Sequence, residues 1–306
     1  MRRHQKGVAA ITAILIVAVA ASAATYMLAQ QSATLNQAAL VGSRAQSDLF
    51  AQAGLDWARG ILAQDARTSS IDSLDEGWAQ PIAGLPVERA LVSGAIEDAQ
   101  SRFNLNNLVK DGKRSDNDVK ILQRLLEQLG LNPDLAWAVL DWIDLDGDLS
   151  NPAGAEDAYY LGLARPYRTA NQPLIQVEEL YRVRGFDAAT VDKLRPFVSA
   201  LPTRTAVNAN TAAAEVLAAV LSEIPLEEMR SIVATRRGKP FKDSTDLASR
   251  MKKATPDELA NDLGVSSQNF MVRILVAQGD VSVASEALVT RGANAATAII
   301  WRRSLY

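Results

Sequence analysis

The residues best suited to chemistry lie in one stretch, DWIDLDGDLSNPAGAED at 141–157. Asp144, Asp146 and Asp148 alternate along the chain, and Glu156 and Asp157 return after Asn151-Pro152. Between Leu131 and Ala164 stand seven acids (Asp134, Asp141, Asp144, Asp146, Asp148, Glu156 and Asp157) with no Lys or Arg among them. Carboxylates grouped on a turn repel one another, and a shared hard cation relieves that repulsion. Calcium suits such a loop because it accepts six to eight oxygens in loose geometry. The sequence therefore points to structural calcium, with Asp144, Asp146, Asp148, Glu156 and Asp157 as ligands. A solvated acidic turn with a helix N-cap is the plain alternative. A carboxylate pair could also serve as acid and base on a glycosidic bond, but acids this closely grouped leave little room for a sugar between them.

The loop is not an EF-hand. Its glycine, Gly147, is fourth where that motif needs it sixth, and its twelfth place is Ala155, with Glu156 one later. Other chemistry is bounded by what the chain lacks. It has no cysteine, and its one histidine is His4. Thiolate sites, the usual zinc sites and a Ser-His-Asp triad are excluded for a chain beginning after His4, and an enzymatic role is not expected.

The elements that must position the loop begin at the N-terminus. Val8–Ala29 is 22 apolar or small residues behind the basic leader MRRHQKG, with no charged residue until Arg44. At 1.5 Å per residue such a helix covers roughly 33 Å, enough to cross a bilayer. Arg2, Arg3 and Lys6 precede it, which places the N-terminus in the cytoplasm and the bulk of the chain across the membrane. Removing the leader leaves 29 basic residues (32 less three) against 35 acids. That is the wrong sign for a nucleic-acid binder. Two simpler readings of the segment stay open: a signal peptide cut near Ala21-Ser22-Ala23, and a plain single-span tether.

Gln30–Gln64 carries no proline, so the helix is expected to continue, with Phe50, Ala53, Trp57 and Ile61 as its packing stripe. Asp65–Gly84 reads as a loop. A β-hairpin is expected over Val87–Leu105, with Ser93-Gly94 between its runs. Helices follow for about 150 residues: one through Ile121–Leu129 with N-caps at Ser115–Asp118, one restarting at Asn132-Pro133, then Gln176–Val183, Ala188–Leu194, Thr211–Ser222 and Leu226–Arg236. The last segments, 269–306, alternate as three antiparallel strands. The fold class is α+β: a long N-terminal helix on an antiparallel sheet, the sheet split by a large all-helical insertion. The expected boundaries are 1–7 for the leader, 8–65 for the helix, 66–104 for the first sheet part, 105–268 for the insertion and 269–306 for the last strands.

Residues 207–221 followed by 234–251 resemble a helix-hairpin-helix segment of DNA-uptake and repair proteins. Asn208 and Asn210 would cap its first helix, and Arg236, Arg237 and Lys239 add positive charge. Its hairpin reads SEIPLEEMR, without the glycines that let backbone N–H groups reach phosphate and with three Glu, so no nucleic-acid contact is expected. A membrane-tethered DNA-uptake protein remains the alternative reading. Phe103–Asn107 echoes Val207–Thr211, which suggests two related helical units.

The junction Lys6-Gly7-Val8 resembles a prepilin peptidase site of the type IV pilin superfamily, cut after Gly7 to leave Val8 first. The fifth mature residue, Glu in most of that superfamily, is here Thr12. Together with the acidic block and the N-x-N-T helix, nearly the whole chain resembles the K minor pseudopilins of bacterial type II secretion. The resemblance implies a single-pass inner-membrane protein with its bulk in the periplasm. It implies processing by prepilin peptidase, methylation, and calcium near the acidic block. It further implies assembly with the I and J minor pseudopilins and the main subunit at the pseudopilus tip. Thr12 would then mark filament register: a subunit with none above it has no neighbouring amine to pair with.

Overall fold

A computed structural model describes residues 5–251 and 262–305. Helix α1 runs without interruption over Gln5–Thr68, 64 residues, past the expected end at Asp65. At 1.5 Å per residue that is roughly 96 Å. Its apolar part reaches a mean hydropathy of 2.3 with none of that window buried, and among the described residues it is the one helix long and apolar enough to cross a membrane. The hydroxyls along it are turned inward. Thr12, Ser22, Thr25 and Thr34 each donate to a carbonyl one turn earlier, which satisfies them without water.

Five strands form one antiparallel sheet in sequence order: β1 (Ile82–Val87), β2 (Ala90–Asp98), β3 (Asn269–Gln278), β4 (Val281–Arg291) and β5 (Thr297–Leu305). The three C-terminal strands lie where their alternation places them. The first hairpin does not turn where expected. Its tip is Glu88-Arg89, with Glu88 at φ 53°, and Ser93-Gly94 sits inside β2. Gly94 is there for closeness. A Cβ on it would lie 3.1 Å from Cδ1 of Ile274, and one on Gly54 of α1 would lie 3.1 Å from Cγ2 of the same side chain. Ile274 is seated in a notch formed by two glycines, which lets helix and sheet approach.

The C-terminal half of α1 covers this face. Ala51, Leu55, Ala58 and Leu62 are buried against Phe270, Val272, Ile274, Val276, Val283 and Val289. The seam is therefore rotated from the expected stripe. Phe50 and Ile61 are half-buried at its margin, while Ala53 and Trp57 are exposed, Trp57 by 52%. Small alanines hold the close contact and push the aromatic bulk outward.

Residues 99–268 leave the end of β2 and return to the start of β3, and these two strands are neighbours, with Asp98 opposite Phe270. The insertion has its own apolar core. Its helices are α2 (Asp116–Gln128), α3 (Leu135–Ile143), α4 (Asp157–Tyr160), α5 (Ala188–Leu194), α6 (Ala214–Val220), α7 (Leu226–Thr235) and α8 (Ser244–Met251). Pro133 stands before α3 rather than in its first turn, Val177–Arg182 is 3-10 rather than α, and α8 had no counterpart in the sequence reading. The insertion is also not wholly helical. Phe103–Asn104 pairs parallel with Val198–Ser199, Val207–Asn208 pairs parallel with Leu263–Gly264, and Val109–Lys110 pairs antiparallel with Lys113–Arg114.

The asparagines of the echoed segments staple loops; α6 starts after Ala213, so Asn208 and Asn210 do not cap it, while Asn104 caps the 3-10 turn Leu105–Leu108. Asn106 accepts from the Leu174 N–H at 2.8 Å and donates to the Leu174 and Leu201 carbonyls at 2.9 Å. Asn210 does the same with Phe241, accepting at 2.7 Å and donating at 2.9 Å. In each segment the earlier asparagine, Asn104 or Asn208, accepts from the backbone N–H of the later one. Truncation leaves buried backbone groups unpaired. Asn106→Ala and Asn210→Ala are each expected to lower unfolding free energy by about 3 kcal/mol, measured by urea unfolding of the full chain in detergent; a loss under about 0.5 kcal/mol would show that the staples carry no stability.

Candidate metal centre and the joint beside it

Helix α3 delivers the first acid of the loop. Asp141 is fully buried, and its two oxygens accept from the Ser150 N–H at 3.2 and 3.1 Å. Gly154 lies against it so closely that a Cβ there would fall 2.1 Å from Asp141 Oδ2. One turn later Asp144 terminates α3 in extended conformation. Glu156 comes back from the far end of the loop, and both residues are only 8% exposed. Oδ1 of Asp144 and Oε1 of Glu156 are buried with no hydrogen-bond partner. Burial pushes Asp144 up to about 7, reinforced by Asp146, Asp141 and Asp148. Burial pushes Glu156 up to about 7 as well, reinforced by Asp141 and Asp144. Burial also raises Asp141.

The other expected ligands are placed differently. Asp146 and Asp148 are exposed, and the Asp148 N–H donates to Asp146 at 2.9 Å. Asp157 is committed elsewhere: its Oδ1 accepts from the Thr169 N–H at 3.0 Å and hydroxyl at 2.9 Å, and its Oδ2 faces Arg168 at 3.3 Å. Cations absent from the local sequence thus arrive from further along the chain, Arg184 also donating to the Gly154 carbonyl at 3.0 Å. Asp141, which the sequence reading left outside the ligand set, is the acid most deeply placed. Its three-residue spacing to Asp144 on one helix face was the available signal.

These residues fit a hard divalent cation. The donor set is all oxygen, two buried carboxylate oxygens have no partner, and the glycine leaves space against Asp141. The loop oxygens stand further apart than those of Asp65, Asp72 and Glu76, which bring one oxygen each within 4.8 Å of one another. That tighter trio already holds an arginine. Arg291 bonds Asp65 at 2.8 Å and Asp72 at 2.6 Å, and Glu76 accepts from Ser73 and Trp78.

Arg291 belongs to the joint between sheet and insertion. There Asp98, at the end of β2, accepts from Gln100 N–H, Asn208 Nδ2, Thr211 Oγ1 and Ser267 Oγ at 2.8, 2.9, 2.5 and 2.7 Å. Asn208 also donates to the Asp72 carbonyl at 3.0 Å. In the helix-hairpin-helix region Arg237 and Lys239 are exposed, while other basic side chains serve the fold. Arg236 is buried on the Ala209 carbonyl at 2.7 Å, Arg230 pairs with Glu215 and Glu227, and Arg250 pairs with Asp246. At the N-terminal end, Gly7 and Val8 lie within α1, and the Thr12 hydroxyl bonds the carbonyls of Val8 and Ala9 at 3.0 Å each.

Two family models described as type II secretion system (T2SS), protein K, match residues 101–203 and 207–266. A protein K of Aeromonas hydrophila is 32% identical over 95% of this chain and 94% of its own length. The chain belongs to the type II secretion system protein K family. A second relative, protein K of Pseudomonas aeruginosa, is 33% identical over 92% of this chain and 87% of its own. A solved structure described as the GspK-GspI-GspJ complex from enterotoxigenic Escherichia coli contains a chain of the same fold. It matches with a TM-score of 0.77 at 24% identity, covering 87% of this chain and 98% of that one. The chain is accordingly a minor pseudopilin of type II secretion, with an α+β pilin-like fold and an apolar N-terminal helix. The division between its two family models, after residue 203, falls between the two asparagine-stapled segments.

The raised carboxyls of Asp144 and Glu156 set a pH dependence. A group whose folded value is raised to about 7 contributes stability that is complete below the ordinary carboxylate range, about 4, and is lost as pH climbs through 7. In EGTA the melting temperature of the full chain is expected to fall between pH 5 and pH 8, and Asp144→Asn should flatten that fall. A flat profile for the unsubstituted chain would contradict the burial argument.

Proposed function

We propose that this chain caps the tip of the type II secretion pseudopilus and primes its assembly with the I and J minor pseudopilins, ahead of the main subunit, for export of folded proteins across the outer membrane. The observation that carries this reading is where the insertion leaves the sheet. Residues 99–268 emerge between two paired strands and form a second body with its own core, a bulk that a repeating shaft subunit would have to accommodate at every step. Thr12 agrees with it. Its hydroxyl is bound to its own helix, so it offers no charge to a neighbouring N-terminus.

The rest of the proposal follows from the same elements. The chain is a single-pass inner-membrane protein with its bulk in the periplasm, cut by prepilin peptidase between Gly7 and Val8 with α1 retained. It has no enzymatic activity and no nucleic-acid partner. Calcium is structural, held by Asp144 and Glu156 with Asp141 behind them and Asp146 and Asp148 at the solvent side. The ion supplies positive charge where the loop has only acids. The protein's own contribution is to bury two carboxylates and hold the loop against α3.

Edman or mass analysis of the membrane form should give Val8 as the first residue; a start near Ala24 would make the chain a secreted protein instead. The labelled chain should be found once, at the end of a pseudopilus, in electron micrographs, and recurrence along the shaft would overturn the cap. Adding calcium to the EGTA-treated full chain should raise its melting temperature at pH 7.5, with the gain lost in Asp144→Asn. An equal gain in that variant would move the ion elsewhere.

A further inference from the structure

On the face of the sheet turned away from α1, the insertion folds back over the strands. Ser199 and Arg195 of the insertion meet Arg273, Trp301 and Arg303 of the sheet around a cleft of about 60 Å³. Its acceptors are already engaged. Glu286, 4% exposed at its side chain, takes Arg273 at 2.7 Å and Arg303 at 2.6 Å. Glu97 takes Arg102 at 2.7 Å and Arg273 at 2.8 Å, and Asp192 takes Arg195 at 3.3 Å. Glu178 reaches Arg303 and Arg195 only at 3.4 and 3.8 Å. Among the lining residues four arginines face two glutamates.

Donors are left over. The Ser199 hydroxyl, on a residue 6% exposed, the Arg195 Nε and the Trp301 Nε1 are all buried without a hydrogen-bond partner. Each carries a hydrogen to give, and a buried donor left unmet costs about 1–3 kcal/mol. Three such groups on residues lining one cleft, where the arginines are already matched by carboxylates, call for an acceptor with more than one oxygen.

We propose that this cleft binds a carboxylate. The Arg195 outer nitrogens are engaged by Asp192 and by Tyr181 at 2.9 Å, which leaves its Nε–H, and this N–H, an indole N–H and a hydroxyl on residues that line one small cleft match an anion with two oxygens. The carboxylate belongs either to a small organic acid or to an acidic side chain or C-terminus of a protein partner. The assignment goes beyond the tip-capping reading and does not depend on it.

The full chain in detergent micelles, labelled with ¹⁵N at its indoles, provides the test, with the Trp301 signal assigned through Trp301→Phe. Sodium acetate should shift that signal saturably, and sodium chloride at equal ionic strength should not. Arg195→Gln and Ser199→Ala should each weaken the acetate response at least tenfold. If Arg195→Gln fails to fold, Ser199→Ala, which removes one oxygen, decides. A blocked oligoglutamate peptide saturating at a tenfold lower concentration than acetate identifies a protein carboxylate, and acetate as good as or better than the peptide identifies a small acid. A linear shift, or one matched by chloride, means that water satisfies the donors and overturns the proposal. Saturation by phosphate with none by acetate overturns the assignment to carboxylate.

Discussion

The structure turns on one buried carboxyl. Asp98 closes β2, is 3% exposed, and is met by four neutral donors, all from the chain that follows it. Burial alone would push its proton affinity up, and the hydroxyls of Thr211 and Ser267 oppose that. All four donors belong to residues 99–268: Gln100 at the exit from β2, Asn208 and Thr211 in the body of the insertion, and Ser267 on the return to β3. Asp72 and Arg291 extend the same network back to the end of α1 through Asp65. Helix α1, sheet and insertion are thus fastened at one polar point. The apolar contact under the sheet's other face is small by comparison, Ala99, Leu201 and Leu288. A fully satisfied buried network fixes one arrangement of its parts more strictly than apolar contact does.

The acidic loop works by the opposite rule. Where Asp98 is surrounded by donors, Asp144 and Glu156 are each left with an oxygen that has none. Like charges gathered around desolvated oxygens are tolerable at neutral pH only with protons or a cation among them. The same chain therefore answers Asp98 with its own donors and leaves Asp144 and Glu156 each with one oxygen unmet.

How much of this was legible follows from which forces leave a trace in sequence. The strands through Phe270, Val272, Ile274 and Val276 alternate because one face is buried, and period two is visible without a structure. The acidic block was visible too, but Asp141 was left out because it lies inside the apolar run of α3, where an acid looks incidental. Gly94 was taken for turn punctuation because a glycine that makes room for Ile274 and one that reverses the chain look alike. The actual turn at Glu88 has a positive φ on a residue with no turn signature. Asn208 and Asn210 stand shortly before α6, where caps stand, while Phe241, the partner of Asn210, is distant in sequence, as Leu174 is from Asn106. Long-range hydrogen bonding leaves no local pattern to read.

Because Asp98 lies opposite Phe270, both ends of the insertion are as close together as two paired strands must be. The detour of residues 99–268 therefore adds little chain-closure entropy over a short hairpin loop, since that penalty grows only with the logarithm of loop length. A sheet of this kind can host or shed an entire second body without changing its own register. What prevents a clean excision is electrostatic. Cutting the detour out would strip Gln100, Asn208, Thr211 and Ser267 from Asp98 and leave that carboxyl without the donors that now meet it.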